Sequence, residues 1–333
     1  MTGLARAEPE TREVLKRAIT HPLVRRLTVR EYLPLAAWLS TWALLGLAFG
    51  HADAVRLFAA NTFVQAIRNL CGLEMTATLA KRIGTPAFAR SRSRALRYDL
   101  LVLLATLAVV ALLSTILWQR EMAVPAAMIA IVALGVPARN PGGVLVVRRD
   151  REVPWRLGSS AASVVGAALV WKLGGEWWQG ALVIAAREWV GLLATLLFAK
   201  PRAEAVEPLS TPLEFAELAG RTEAAARKRL TYRMAKSVLG GLLGPLGTVI
   251  ARTGRGARLD ARISNLIPRH RGGMALLTLI SGGTMLFFLV VAREPSTLVL
   301  AAAAARIAAS GGAALLWWNY GADLVDDEDD DDD

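Results

Sequence analysis

Trp177–Lys200, WWQGALVIAAREWVGLLATLLFAK, decides how the rest of the chain is read. Two tryptophans open it, a lysine closes it, and about 20 mostly apolar residues lie between, the length of one bilayer crossing. Near its middle stand Arg187 and Glu188. A charge at that depth costs several kcal/mol unless it faces protein, water or a partner, so ions here point to a functional site.

Composition agrees with a membrane reading. Of 333 residues 54% are hydrophobic, mean hydropathy is +0.40, and the apolar residues come in blocks of membrane length. The expected fold is all-α: a polytopic helical membrane protein of about eight transmembrane helices arranged as hairpins, with one short re-entrant or interfacial segment. Net charge is +11, and removing the eight acids of Asp326–Asp333 leaves the body at +19. This basic excess falls in loops between spans, where the positive-inside rule accounts for it, so no nucleic-acid partner is implied. The single Cys71 lies in an apolar segment and gives no disulfide framework.

Outward from the opening stretch, the chain divides by composition. Residues 1–32 form a polar cytoplasmic N-terminal segment, and 33–200 a six-helix bundle. Its expected spans are Leu33–Gly50, Leu57–Ala80, Tyr98–Trp118, Met122–Ala138, Leu157–Leu173 and the quoted stretch. Arginine-rich Lys81–Arg97 and Arg139–Arg156 read as cytoplasmic loops, with Asn-Pro-Gly-Gly marking a turn in the second. Gly158, Ala162 and Gly166 repeat small residues every four positions, which lets membrane helices approach closely.

Beyond Lys200, residues 201–236 read as a charged cytoplasmic helix opened by the capping box of Thr211–Glu214. Residues 237–272 comprise the short apolar Ser237–Ala251, re-entrant or interfacial, and a basic loop. Residues 273–320 make a final transmembrane hairpin, and 321–333 an acidic disordered tail. Cytoplasmic N- and C-termini put every arginine-rich loop inside.

Several polar residues fall within spans. Asn61, Gln65, Arg68, Asn69, Gly72 and Thr76 follow helical spacing as one polar stripe. Lipid offers such groups no hydrogen-bond partner, so the stripe faces either a cavity or another helix. Arg187 and Glu188 are about 100° apart around their helix and should address different neighbours. They serve either as an ionic latch or as the lining of a wet cavity, Arg187 attracting an anion and Glu188 taking a proton. Arg306, near the centre of the last helix, adds to the cavity cations or pairs with a carboxylate such as Glu74 or Glu188. Trp118, Trp171, Trp177 and Trp178 read as anchors at the outer interface, and Trp155, Trp317 and Trp318 at the inner one. No metal-ligand spacing, phosphate loop or nucleophile elbow occurs, so neither a cofactor nor an enzyme is expected.

From Arg139 to Arg202 the chain resembles bacterial polysaccharide flippases, the O-antigen and exopolysaccharide exporters of the multidrug/oligosaccharidyl-lipid/polysaccharide superfamily. The parallel is RNPGGVLVVRRDREVPWR, then the small-residue helix SSAASVVGAALV, then GGEWWQGALVIAAREWVGLLATLLFAKPR. The segment from Asn61 to Lys81 and the arginine-rich loop after it fit the preceding part. The resemblance implies alternating-access transport of lipid-linked oligosaccharide across the bacterial inner membrane. Arg187, Arg68 and Arg306 would contact a diphosphate head group, with Asn61, Gln65 and Asn69 beside them, and Glu188 would couple to protons. The family uses twelve or more spans in two halves. This shorter chain would need a homodimer or partner membrane subunit, or it serves as a non-transporting scaffold of a cell-envelope polysaccharide system. An enzyme acting on a polyprenyl or phospholipid phosphate is a third reading.

Overall fold

The computed structural model describes residues 32–72, 79, 83–84, 87–201 and 271–316. The expected N-terminal segment through residue 31, the cytoplasmic helix, Ser237–Ala251 with most of its basic loop, Trp317, Trp318 and the acidic tail lie outside the described residues. So do Glu74 and Thr76.

The described chain is helical: α1 Leu33–Phe49, α2 His51–Gly72, α3 Ala87–Gln119, α4 Ala123–Ala133, α5 Val136–Arg139, α6 Pro141–Leu145, α7 Glu152–Lys172, α8 Trp177–Phe198, α9 Arg271–Val291 and α10 Pro295–Leu316. One isolated bridge, Arg149 to Pro201, is the sole strand-like pairing among the described residues. The protein is an all-α polytopic membrane protein. Among the described residues five segments are long and apolar enough to cross a bilayer, namely α3, the run from α4 to α6, α8, α9 and α10. The remaining three expected spans coincide with α1, which is apolar but only 17 residues long, and with the more polar α2 and α7.

Reversals are tight where the sequence allows them. Gly50, with φ +90°, turns α1 directly into α2, so the second helix starts at His51, earlier than its apolar run suggests. Gly174, with φ +63°, turns α7 into α8. Glu176 then donates its backbone N–H to the Gln179 side chain at 2.9 Å, starting α8 cleanly.

The most enclosed elements are α4–α6 and α10, while α3 and α9 turn most of their surface outward. Leu101, Leu104 and Leu112 on α3 and Leu279, Ile280 and Phe287 on α9 are exposed, as a face meeting lipid tails requires. The larger apolar core draws on α1, α2, α3, α4, α7, α8, α9 and α10. Small residues set its spacing: the Ala301–Ala305 run of α10 packs against α2, whose Ala59, Ala60 and Ala66 are buried. The expected close approach at Gly158 and Gly166 is present between α7 and α8. A Cβ on Gly158 would stand 2.7 Å from Ala194 Cβ, and one on Gly166 would stand 2.8 Å from Val183. Buried hydroxyls satisfy themselves locally, Thr41 donating to the Ala37 carbonyl and Thr195 to that of Gly191.

Two expected loops are not loops. Much of Lys81–Arg97 belongs to α3, which runs 33 residues. At 1.5 Å per residue that is about 50 Å, well beyond the ~30 Å hydrocarbon core, so its arginine-bearing first turns project from the membrane. The start of Arg139–Arg156 is also folded in. Asn140, Pro141, Gly142, Gly143 and Val144 are buried, and Val144 and Val147 join Leu79, Phe88 and Ala95 in a second apolar cluster.

Candidate functional site

The run from α4 to α6, the fourth expected span, is broken twice, and the site forms at the breaks. Pro137 and Pro141 have no N–H to give the preceding turns, so α4, α5 and α6 cannot be one helix. Backbone freed by such a break must find partners inside the protein. The Leu134 carbonyl accepts the indole N–H of Trp189 on α8 at 2.9 Å. Asn140 Nδ2 lies 3.4 Å from the Arg68 carbonyl oxygen on α2 and donates to it. Gly135 lets the break close onto α8: a Cβ there would lie 3.0 Å from the Ala185 carbonyl oxygen and 3.4 Å from Glu188 Cγ.

Around this break three arginines converge on one carboxylate. Arg68 Nη1 donates to Glu188 Oε1 at 3.3 Å, Arg187 Nε lies 3.6 Å from the same oxygen, and Arg139 Nη1 lies 3.9 Å from Oε2. The 100° offset of Arg187 and Glu188 on α8 therefore does not keep them apart, because the flexible arginine stem folds back to its neighbour. Among the described residues, three guanidinium groups face one carboxylate, a formal excess of two positive charges at the cluster.

Of the expected site residues, Asn61, Gln65, Arg68, Arg187 and Glu188 line one cavity, closed on its third side by Val132, Gly135 and Val136. The third wall is thus the broken fourth segment, where the sequence points to the last helix. Arg306 and Asn69 do not line the cavity. Arg306 sits on α10, near enough for its charge to be felt at Arg68. Asn69 follows Arg68 by 100° around α2, which carries it off the cavity face. The cavity offers about 20 Å³ to the centre of a water molecule, room for roughly one water. The hollow expected for a lipid head group is too small to hold one in this conformation.

Arg139 is the member that the sequence hides, because its surroundings read as a loop. The available signal is the pair of prolines at 137 and 141, which forces a break around it. Its guanidinium carbon lies over the Trp155 ring, 5.1 Å from the centroid. Trp155 is not the interfacial anchor that its position suggests. It is buried against Gly191, where a Cβ would come within 2.9 Å of Nε1. Trp118, Trp171 and Trp178 are exposed at helix ends.

The neighbouring arginines do structural work at the same end of the bundle. Arg149 Nη1 donates to the Leu196 carbonyl at 2.6 Å, closing the C-terminus of α8. Arg151 donates to the Gly143 carbonyl at 3.1 Å, and Arg148 lies over Phe88 at the start of α3. Among the described residues no cluster of histidine, cysteine and carboxylates has metal-binding geometry. Comparison with family models, curated proteins and solved structures finds no match to this chain.

Proposed function

We propose that the protein is a flippase-like transporter of a lipid-linked oligosaccharide or polysaccharide precursor. It would act in the bacterial inner membrane with both termini cytoplasmic. The arginine cluster binds the diphosphate head group and no covalent chemistry is performed. The observation that carries this reading is the excess of guanidinium over carboxylate at a broken membrane helix. Uncompensated charge in a bundle is costly, and an anionic ligand is the counter-charge that would relieve it. Discontinuous helices at such sites are a recurrent means of binding ions in transporters. The glycan itself rests on the family resemblance alone, and the cluster supports only an anion.

In this conformation the one-water cavity holds the ligand out, so transport requires α2, α8 and the α4–α6 segment to part. Glu188 then serves as the resident counter-charge that the head group displaces, and is the residue through which protons would couple. A homodimer or partner membrane subunit supplies the second half of the pathway.

The small cavity favours a second reading, a non-transporting scaffold or accessory subunit of a polysaccharide system, in which the cluster is an ionic latch. Reconstituted vesicles decide between them. The purified chain should move a fluorescent polyprenyl-diphosphate glycan between leaflets, and Arg187→Ala should abolish the movement. Absence of flipping by the wild-type chain, together with a stoichiometric membrane partner on purification, would establish the scaffold instead.

A further inference from the structure

We infer that Arg139 is the ligand-contacting residue at the mouth of the site, exchanging Glu188 for the incoming anion while its guanidinium face stays on Trp155. This rests on the anion-binding reading above and assigns the side from which the anion arrives.

Four observations carry it. Arg139 makes the longest contact of the cluster, and at 3.9 Å this is an ion pair without a hydrogen bond, the one most readily surrendered. Its side chain is 42% exposed, against 20% for Arg68, 17% for Arg187 and 12% for Glu188, so it alone of the four reaches out of the bundle. The side of the cluster that faces it is incompletely bonded. Glu188 Oε2 is buried and makes no hydrogen bond of full geometry among the described residues, the Trp155 indole N–H turned to the same carboxylate being its one weak donor besides Arg139. Finally, the cation–π contact with Trp155 holds the guanidinium in place through one side, leaving N–H donors for two-point contact with a phosphate.

Position makes the exchange consequential. Arg139 ends α5, and the next residue, Asn140, holds the Arg68 carbonyl. A shift of Arg139 toward a ligand therefore pulls on α2 at the arginine that grips Glu188 most closely. Arg148, Arg149 and Arg151 lie just beyond on the same segment, so the anion approaches from the arginine-rich end of the bundle.

The test uses the full chain in detergent with pyrophosphate, farnesyl diphosphate and farnesol as probes. Arg139→Gln should weaken binding of both diphosphates by about tenfold, the loss of one charge-assisted contact, and Arg139→Lys should restore part of it. Farnesol should bind equally to all variants. Tighter binding of farnesyl diphosphate than of pyrophosphate identifies a lipid head group, and equal binding a free anion. Phenylglyoxal should modify Arg139 before Arg68 or Arg187, and pyrophosphate should protect it. That footprint decides the matter even where Arg139→Gln fails to fold. Wild-type affinity in Arg139→Gln, or modification of Arg139 unhindered by saturating pyrophosphate, overturns the assignment while leaving the anion site standing. Absence of diphosphate binding by the wild-type chain removes both.

Discussion

Glu188 and Arg68 meet at 3.3 Å although 120 residues separate them in sequence, and their contact ties α8 to α2 across the interior of the bundle. Because Glu188 also faces Arg139 and Arg187, the two partners are not equivalent. The carboxylate has three cations; each cation shares one carboxylate.

That asymmetry sets an order of stability. Glu188→Gln leaves three guanidinium groups facing one another and should cost about 3–5 kcal/mol, the usual result of stripping a buried charge of its partner. Arg68→Gln should cost less, since Arg187 and Arg139 still neutralise Glu188, and the half-exposed Arg139→Gln least of all. Thermal unfolding in detergent gives the ranking. A larger loss from Arg68→Gln than from Glu188→Gln would mean that the carboxylate is not the hub.

The α7–α8 contact depends on bare backbone. Gly158→Val would drive a side chain into Ala194 and the Val190 carbonyl, with a cost of about 1–3 kcal/mol from overpacking. Gly282 on α9 faces open space, with no heavy atom within 4 Å of where a Cβ would stand, so Gly282→Ala should be neutral. Comparing the unfolding midpoints of the two variants checks this, and equal loss from both would contradict the packing.

At the helix break, Trp189 supplies the hydrogen bond that the Leu134 carbonyl lacks within its own helix. Trp189→Phe keeps an aromatic ring and removes the N–H. It should destabilise by about 0.5–1.5 kcal/mol, with faster amide exchange confined to residues near 134. Exchange spread evenly over the bundle would show that the break is held by something else.

Orientation has its own test. In a Cys71→Ser background, Ala52→Cys and Leu173→Cys at the short reversals should react with a membrane-impermeant maleimide in intact cells. Asp150→Cys should react only after permeabilisation. The opposite pattern would invert the chain in the membrane.

Much of this is legible in the residues. Long apolar blocks bounded by glycine turns and arginine runs identify membrane helices, because lipid leaves the backbone few alternatives. The α2 stripe of Asn61, Gln65 and Arg68 is also readable, since one helical face has a fixed spacing, and so is the depth of Arg187 and Glu188. Arg139 is not. A charged residue beside Asn-Pro-Gly-Gly looks like an exposed turn, and only the packing of Val144 and Val147 against α3 shows that the turn is enclosed. Trp155 misleads for the same reason: its burial depends on Gly191, 36 positions later, a pairing no local pattern announces.

The double interruption between Ala133 and Pro141 has a mechanical consequence. An unbroken membrane helix resists bending because every kink strips carbonyls of their donors in an oily surrounding. Here some of those bonds were already forgone when the prolines were placed; Trp189 holds the Leu134 carbonyl from outside the rod, and Asn140 ties the joint to the Arg68 carbonyl of α2. Flexing at this joint therefore ruptures fewer bonds than in an unbroken helix, and the bundle has a soft line where its charges are densest.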